Sequence, residues 1–243
     1  MKLNGPDESM RLSKFLSQQG VCSRREADQY IENQQILIND KPAVLGQRVG
    51  PSDSVEVLKA AKENLESKIT IAIYKPVGYV SGHSEGDYKP AHTLIREENL
   101  VRTKPWHKPI SFEQRKSLAP VGRLDIDSKG LLLLSQDGAF VKSIIGPDNQ
   151  VEKEYEVFVE GDISDEKIKL LSHGLELDGK ALKPAKVTLM EEQKLKITLI
   201  EGKKRQIRRM CELVDLEVKS LKRTRIGNHT LAPLTSGQWT YID

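Results

Sequence analysis

Arg123 and Asp125 stand two residues apart in Gly122-Arg123-Leu124-Asp125-Ile126-Asp127-Ser128-Lys129-Gly130, which runs directly into Leu131-Leu132-Leu133-Leu134. A guanidinium beside a carboxylate favours its charged form and fixes its direction, as a nucleophilic acid requires. In extended backbone residues i and i+2 point the same way, so the pair would share one face at the mouth of the leucine strand. Arg–Asp pairs serve structure more often than catalysis, and local chemistry alone leaves both roles open.

A second reactive stretch is Glu201-Gly202-Lys203-Lys204-Arg205-Gln206-Ile207-Arg208-Arg209-Met210-Cys211-Glu212. At about 100° per residue, Ile207, Met210, Cys211 and Val214 form one stripe, with Arg208 on its shoulder. Arg208 is thereby expected to reach a groove beside the core, and Arg205 and Arg209 to face solvent or RNA. Cations at a helix start oppose the macrodipole, and without an acidic partner such a violation points to anion binding. From Glu201 through Arg225 nine Lys/Arg face four Asp/Glu, and the excess includes Lys203 and Lys204. Between these stretches, Lys153, Tyr155, Val157 and Val159 alternate onto one face of a strand. Tyr155 there is either core filling or a stacking platform.

The elements that must position these groups are legible as patterns. Four leucines bounded by Gly130 and Ser135-Gln136-Asp137-Gly138 read as a strand covered on both faces. A short helix follows through Phe140, Val141, Ile144 and Ile145, stopped at Gly146-Pro147. Lys186–Met190 with Leu195–Ile200 reads as a hairpin. At the start, Leu12, Phe15 and Leu16 have helical spacing with Gly20 as a C-terminal glycine, and Ser23-Arg24-Arg25-Glu26 is a capping box opening a second helix. Ile36–Ile38 and Ser54–Leu58 read as short strands. Residues 1–10 are expected to be flexible, and the charged stretch 59–68 to be a linker. From Ser84 to Ala119 the pattern loosens: three prolines sit among seven Lys/Arg and five Asp/Glu, with Tyr88, Trp106 and Phe112 interleaved. That excursion is either an ordinary surface loop or a contact for phosphates and exposed bases.

Composition narrows the classes. The 243 residues carry a net charge of only +3 with 30% charged residues, so a basic surface requires local clustering. Two cysteines, Cys22 and Cys211, exclude a disulfide framework and a cysteine-rich zinc site. Asp125-Ile126-Asp127 imitates the start of an EF-hand, but Lys129 and Gln136 at ligand positions exclude calcium. The histidines (His83, His92, His107, His173, His229) show no paired metal spacing, so no metal is expected. No apolar run has the length of a membrane span, and a soluble, cytoplasmic monomer is expected.

Residues 11–58, through Arg11-Leu12-Ser13-Lys14-Phe15-Leu16, Cys22-Ser23-Arg24-Arg25-Glu26-Ala27 and Leu37-Ile38-Asn39-Asp40, resemble the S4 RNA-binding domain. Gln34 stands where that family usually has glycine. The resemblance implies binding of structured RNA, with Arg11, Lys14, Arg24 and Arg25 as phosphate contacts. Lys75-Pro76-Val77-Gly78, the Gly122–Leu132 stretch, Lys153-Glu154-Tyr155 and Arg205–Met210, in that order, resemble the ribosomal pseudouridine synthases of the small-subunit-A type. Within that family, members acting on large-subunit RNA are the most similar. The resemblance implies an α+β chain: a small α/β S4 domain, then a catalytic domain over 69–243 on a mixed, mostly antiparallel sheet flanked by helices. It further implies Asp125 as nucleophile and Arg123 and Arg208 as its electrostatic neighbours. Tyr155 would pack on the target base, and Ile226 would form the opposite wall. Lys203, Lys204, Arg205 and Arg209 would bind RNA. Uridine isomerisation involves no redox or group transfer, so no cofactor is implied. The partner would be ribosomal RNA, that of the large (23S) subunit first, with 16S ribosomal RNA or transfer RNA as the alternative targets. A non-catalytic RNA-binding or ribosome-assembly protein, with Asp125–Arg208 as a structural salt bridge, is the alternative from a different class.

Overall fold

The computed structural model describes residues 1–82, 86–146 and 149–242. His83, Ser84 and Pro147, named above, lie outside the described residues. The chain divides into two compact units, one of residues 1–69 with 135–143, the other of residues 70–134 with 144–243.

The small unit packs α1 (Leu12–Gln18) and α2 (Arg24–Glu32) on a sheet of β1 (Lys2–Asn4), β2 (Ile36–Ile38) and β3 (Ser54–Val57), in the order β1-β3-β2 with Lys41–Pro42 outside β2. Leu12, Phe15, Leu16, Ala27, Ile31, Ile36 and Val55 form its core. The capping box forms as the sequence predicts: Ser23 Oγ accepts from the Glu26 amide and the Glu26 carboxylate accepts from the Ser23 amide. Both helices end in the same way. Gly20 (φ +71°) and Gln34 (φ +55°) occupy the left-handed position after each helix. The following amides, Val21 and Gln35, donate back to the Leu16 and Tyr30 carbonyls.

Two expectations for this unit are corrected. Residues 2–4 are a strand paired with β3, and the Met1 amino group donates to the Val57 carbonyl, so this part of 1–10 is built into the sheet. The supposed linker is largely helix, α3 (Lys59–Glu66), with Ala61 fully buried. A third finding moves the boundary. Residues 135–143 belong to the small unit: Ile69 and Gln136 exchange two hydrogen bonds, and a Cβ on Gly138 would run into Ser23. Lys68 pairs with Glu26 beside them.

The large unit is built on β4 (Thr70–Lys75), β5 (Lys129–Ser135), β6 (Lys153–Glu160), β7 (Lys186–Glu191), β8 (Lys194–Leu199), β9 (Glu217–Ile226) and β10 (Trp239–Ile242). Their order is β7-β8-β6-β9-β5-β4-β10, with short strands Ala119–Pro120 beside β5 and His229–Thr230 beside β9. β5 and β9 run parallel, whereas β6/β8, β6/β9, β7/β8 and β4/β10 are antiparallel. The sheet is therefore mixed and mostly antiparallel, in an α+β chain. Leu131 to Leu134 are buried throughout, as a strand covered on both faces requires. Helices α4 (Phe112–Ser117), α6 (Asp165–Ser172) and α7 (Gln206–Glu212) belong to this unit, while α5 (Gly138–Ile145) starts within residues 135–143 and so lies mostly in the small one. Ile207, Met210, Cys211 and Val214 on or just after α7 enter the same core as Val157, Val159, Leu195 and Ile197.

Candidate active site

A cleft of about 710 Å³ in the large unit gathers Arg123, Asp125, Tyr155, Lys203, Lys204, Arg205, Arg208 and Ile226. β6 and β9 supply its floor. Tyr155 sits opposite Arg223, and Lys153 opposite Ile226, across a register shift between Glu154 and Tyr155. Such a shift re-aims a side chain at a sheet's end. Ile226 is buried and Tyr155 half-buried, so an apolar wall and an aromatic ring both line the cleft.

Asp125 lies on a loop rather than on extended strand, because the strand begins only at Lys129. Four distant groups clamp that loop by its main chain. Ser81 Oγ both donates to the Leu124 carbonyl and accepts from the Leu124 amide, at 2.7 and 2.8 Å. The Gly78 amide donates to the Ile126 carbonyl at 2.8 Å. Arg208 Nη2 donates to the Asp127 carbonyl at 3.0 Å, and Arg223 Nη1 to the Arg123 carbonyl at 3.2 Å. Arg223 is buried, and its Nε also donates to the Leu131 carbonyl, tying loop and strand together. Gly130 is required where β5 passes Arg223: its φ is +108°, and a Cβ would run into the Arg223 main chain.

The electrostatic pairing differs from the expected one. Arg208 does not pair with Asp125. Its Nε lies 3.2 Å from the Asp127 carboxylate, and Arg205 Nη2 lies 3.0 Å from the same oxygen. Burial raises the Asp127 pKa, but the Arg205 hydrogen bond and both arginine charges outweigh it and hold the carboxyl below its ordinary value. Arg205 takes φ +51° at the start of α7, a backbone strain of about 1–2 kcal/mol in a residue other than glycine. Arg209 lies outside the cleft, where its guanidinium forks onto Asp178 at 2.6 and 3.0 Å. Acidic partners for the α7 cations, not evident in the sequence pattern, are thus Asp127 and Asp178.

Among the described residues three carboxylates lie in or beside the cleft, and two are engaged. Asp127 holds the arginines, and Glu201 accepts from the Lys183 amide and from Gln206 Nε2, each at 3.0 Å. The half-buried Asp125 side chain is the third, and it feels the charges of Lys75 and Arg205. Lys75 is fully buried, with its ammonium donating to the Pro76 and Tyr79 carbonyls at 2.9 Å. Burial pushes its pKa down to about 8 against the pull of Asp127 and Asp125. No thiol competes as a nucleophile here, since both cysteines are buried and burial pushes each up to about 12. Among the described residues no cluster of His, Cys, Asp and Glu is placed to hold a metal.

The sequence reading missed Asp127, Arg223, Ser81 and the burial of Lys75. Only Lys75 carried a signal, its place before Pro76-Val77-Gly78. In the small unit, Arg11, Lys14 and Arg24 line a second cleft with Arg48, Asp28, Ser9, Met10 and Ser13, while the exposed Arg25 does not join them.

The cleft offers a carboxylate, an aromatic ring, an apolar wall and a rim of cations, which together suit an extruded, planar, polyanion-linked base. Comparison with known proteins agrees. The profile described as RNA pseudouridylate synthase matches residues 69–213, and that of the S4 domain matches residues 10–55. The chain is 40% identical over 236 residues to the Escherichia coli K12 protein named dual-specificity RNA pseudouridine synthase RluF, covering 96% of this chain and 76% of that one. It is 32% identical over 234 residues to ribosomal large subunit pseudouridine synthase B of Bacillus subtilis, covering 93% and 89%. A crystal structure of a pseudouridylate synthase shares the fold, with a TM-score of 0.65, 96% of each chain covered and 23% identity. The chain, with its S4 domain, belongs to the RNA pseudouridylate synthase family.

Proposed function

We propose that this synthase isomerises a uridine of large-subunit (23S) ribosomal RNA, with Asp125 as the nucleophile. The observation that carries the assignment is that, among the described residues, Asp125 is the cleft carboxylate left uncommitted, on a loop clamped through its main chain at four points. A reactive group held that way keeps its geometry while its side chain remains available. Asp125 attacks the extruded uridine and bonds to it covalently, the glycosidic C–N bond breaks, and the base turns so that C5 bonds to C1′ of the sugar. Loss of the C5 proton to solvent and release of Asp125 as a free carboxylate complete the isomerisation. Tyr155 packs on the base and Ile226 backs it, so the freed uracil is retained. Arg205 and Arg208 act through Asp127 to hold the loop, and Lys203, Lys204 and Arg205 meet the phosphates at the cleft rim. The S4 unit adds RNA affinity through Arg11, Lys14, Arg24 and Arg48. The chain works as a cytoplasmic monomer without a cofactor.

The large-subunit target rests on relatives named for that subunit. Relatives named as dual-specificity enzymes favour a second RNA target, for which transfer RNA is the candidate. The test is tritium release from RNA labelled at uridine C5. The wild-type chain releases it from naked 23S RNA, and Asp125→Asn releases none while binding RNA with affinity unchanged within about threefold. Appreciable turnover by the Asn variant overturns the nucleophile assignment.

A further inference from the structure

The cleft leaves one set of chemistry-bearing side chains unused, those of residues 101–117. This segment is fixed onto the large unit's edge strand β10. The Val101 amide donates to the Trp239 carbonyl at 2.9 Å, and Thr240 Oγ1 returns a bond to the Val101 carbonyl at 2.8 Å. The Tyr241 hydroxyl donates to the Lys108 carbonyl at 2.8 Å. Arg115, on α4, donates to the Ile95 carbonyl at 3.2 Å.

On that fixed backbone two large aromatic side chains stand in solvent, Trp106 63% and Phe112 56% exposed. Each carries cations on its ring. Lys104 Nζ lies 5.2 Å from the Trp106 centroid, and Lys116 Nζ and the Arg115 guanidinium lie 4.2 and 5.4 Å from that of Phe112. Between Val101 and Ser117 five Lys/Arg face one acidic residue, Glu113, in a chain whose whole net charge is +3.

We infer that this surface binds a single-stranded stretch of the RNA substrate, with bases stacked on Trp106 and Phe112 and phosphates paired with Lys104, Arg115 and Lys116. The inference rests on the RNA reading of the cleft and adds a second contact to it. Stacking on exposed rings beside cations is how sequence-tolerant single-strand sites are built. A protein partner fits less well, because lysine is depleted from protein–protein interfaces. Lys116 is five residues before Val121, which lines the cleft, so at most about 18 Å of chain separates that end of the surface from the cleft.

The chain has two tryptophans, and Trp239 is fully buried, so quenching on RNA binding reports Trp106. With the full chain and naked 23S RNA, wild-type fluorescence is expected to be quenched, and Trp106→Ala to lose that quenching. Trp106→Ala and Phe112→Ala should each weaken binding by about 5- to 150-fold, and Trp106→Phe should recover most of the loss. Lys104→Ala, Arg115→Ala and Lys116→Ala should each flatten the salt dependence of binding by about one unit of slope. Tritium release should show a raised KM with kcat at saturation unchanged. The residual Trp239 emission and the circular dichroism of Trp106→Ala verify its fold. Wild-type affinity, salt slope and quenching retained across these variants overturn the inference while leaving the cleft untouched. Affinity lost for intact ribosomal subunits but kept for naked RNA also overturns it, assigning the surface to a protein partner. Absence of turnover by the wild type would count against the function proposed for the cleft, whereas the binding arms still decide this surface.

Discussion

Arg208 meets Asp127 twice, through Nη2 to its main-chain carbonyl and through Nε to its carboxylate, at 3.0 and 3.2 Å. The second acid of the motif therefore holds the arginine, an arrangement consistent with the role proposed for the first, Asp125. Asp127→Asn keeps the shape but removes the charge opposing Arg205 and Arg208. It should lower kcat by about 10- to 100-fold with a smaller change in KM, because a loop moved by a fraction of an ångström loses reactive geometry. Because the Asp127 carboxyl is held below its ordinary value, its stabilisation is present above the usual carboxylate range and disappears as pH falls through its folded pKa. Acid titration of stability should be shallower in the Asn variant. Equal kcat in the two proteins would show the clamp to be dispensable.

Lys75 should make stability depend on alkaline pH. Its folded pKa, about 8, lies below the ordinary 10.5, so between those values the unfolded chain binds more protons and stability rises with pH. Unfolding free energies of the wild type and Lys75→Met from denaturant titrations, compared from pH 7 to 11, should diverge in the wild type's favour by roughly 3 kcal/mol across that window. Parallel curves would contradict the burial argument.

Two helix ends in the small unit form a matched pair. Gly20 and Gln34 take the same left-handed position with the same pair of back-bonds, yet only one is glycine. Gln34→Gly should stabilise the protein by about 0.5–1 kcal/mol, and Gly20→Gln should destabilise it by a similar amount. Thermal melting of both variants checks the pair.

Gly138 tests the corrected boundary. A Cβ there would run into Ser23, whose hydroxyl caps α2. Gly138→Ala should lower stability by about 1–3 kcal/mol by overpacking. A melt indistinguishable from wild type would mean that residues 135–143 pack more loosely than the geometry indicates.

Much of the fold was legible because its signals are local. The capping box, the four-leucine strand and the alternation after Lys153 each lie within ten residues, and each forms where the pattern puts it. The site was legible only in part. Spacing suggested that Arg123 and Asp125 share a strand face, but both lie on the loop before the strand. Arg223 serves carbonyls 92 and 100 residues away, and no local pattern announces a buried arginine whose partners are distant main chain. The helix α3 was hidden by its charges, although Ala61 and Leu65, four apart, carried the signal of one buried face. β1 is three residues long, too short for alternation to register.

The attachment of residues 96–101 to β10 has a consequence for solubility. β10 is the last strand of the large sheet, and a bare edge offers its unpaired main-chain groups to any other chain. Leu100 bridges to Trp239, the Val101 amide satisfies the Trp239 carbonyl, and the Arg96 carbonyl takes the Trp239 indole proton. The same excursion that displays two aromatic rings to solvent therefore blunts the edge against self-association. Shortening the loop would remove the proposed RNA contact and bare the strand edge together, so this surface can be remodelled one side chain at a time but not deleted whole.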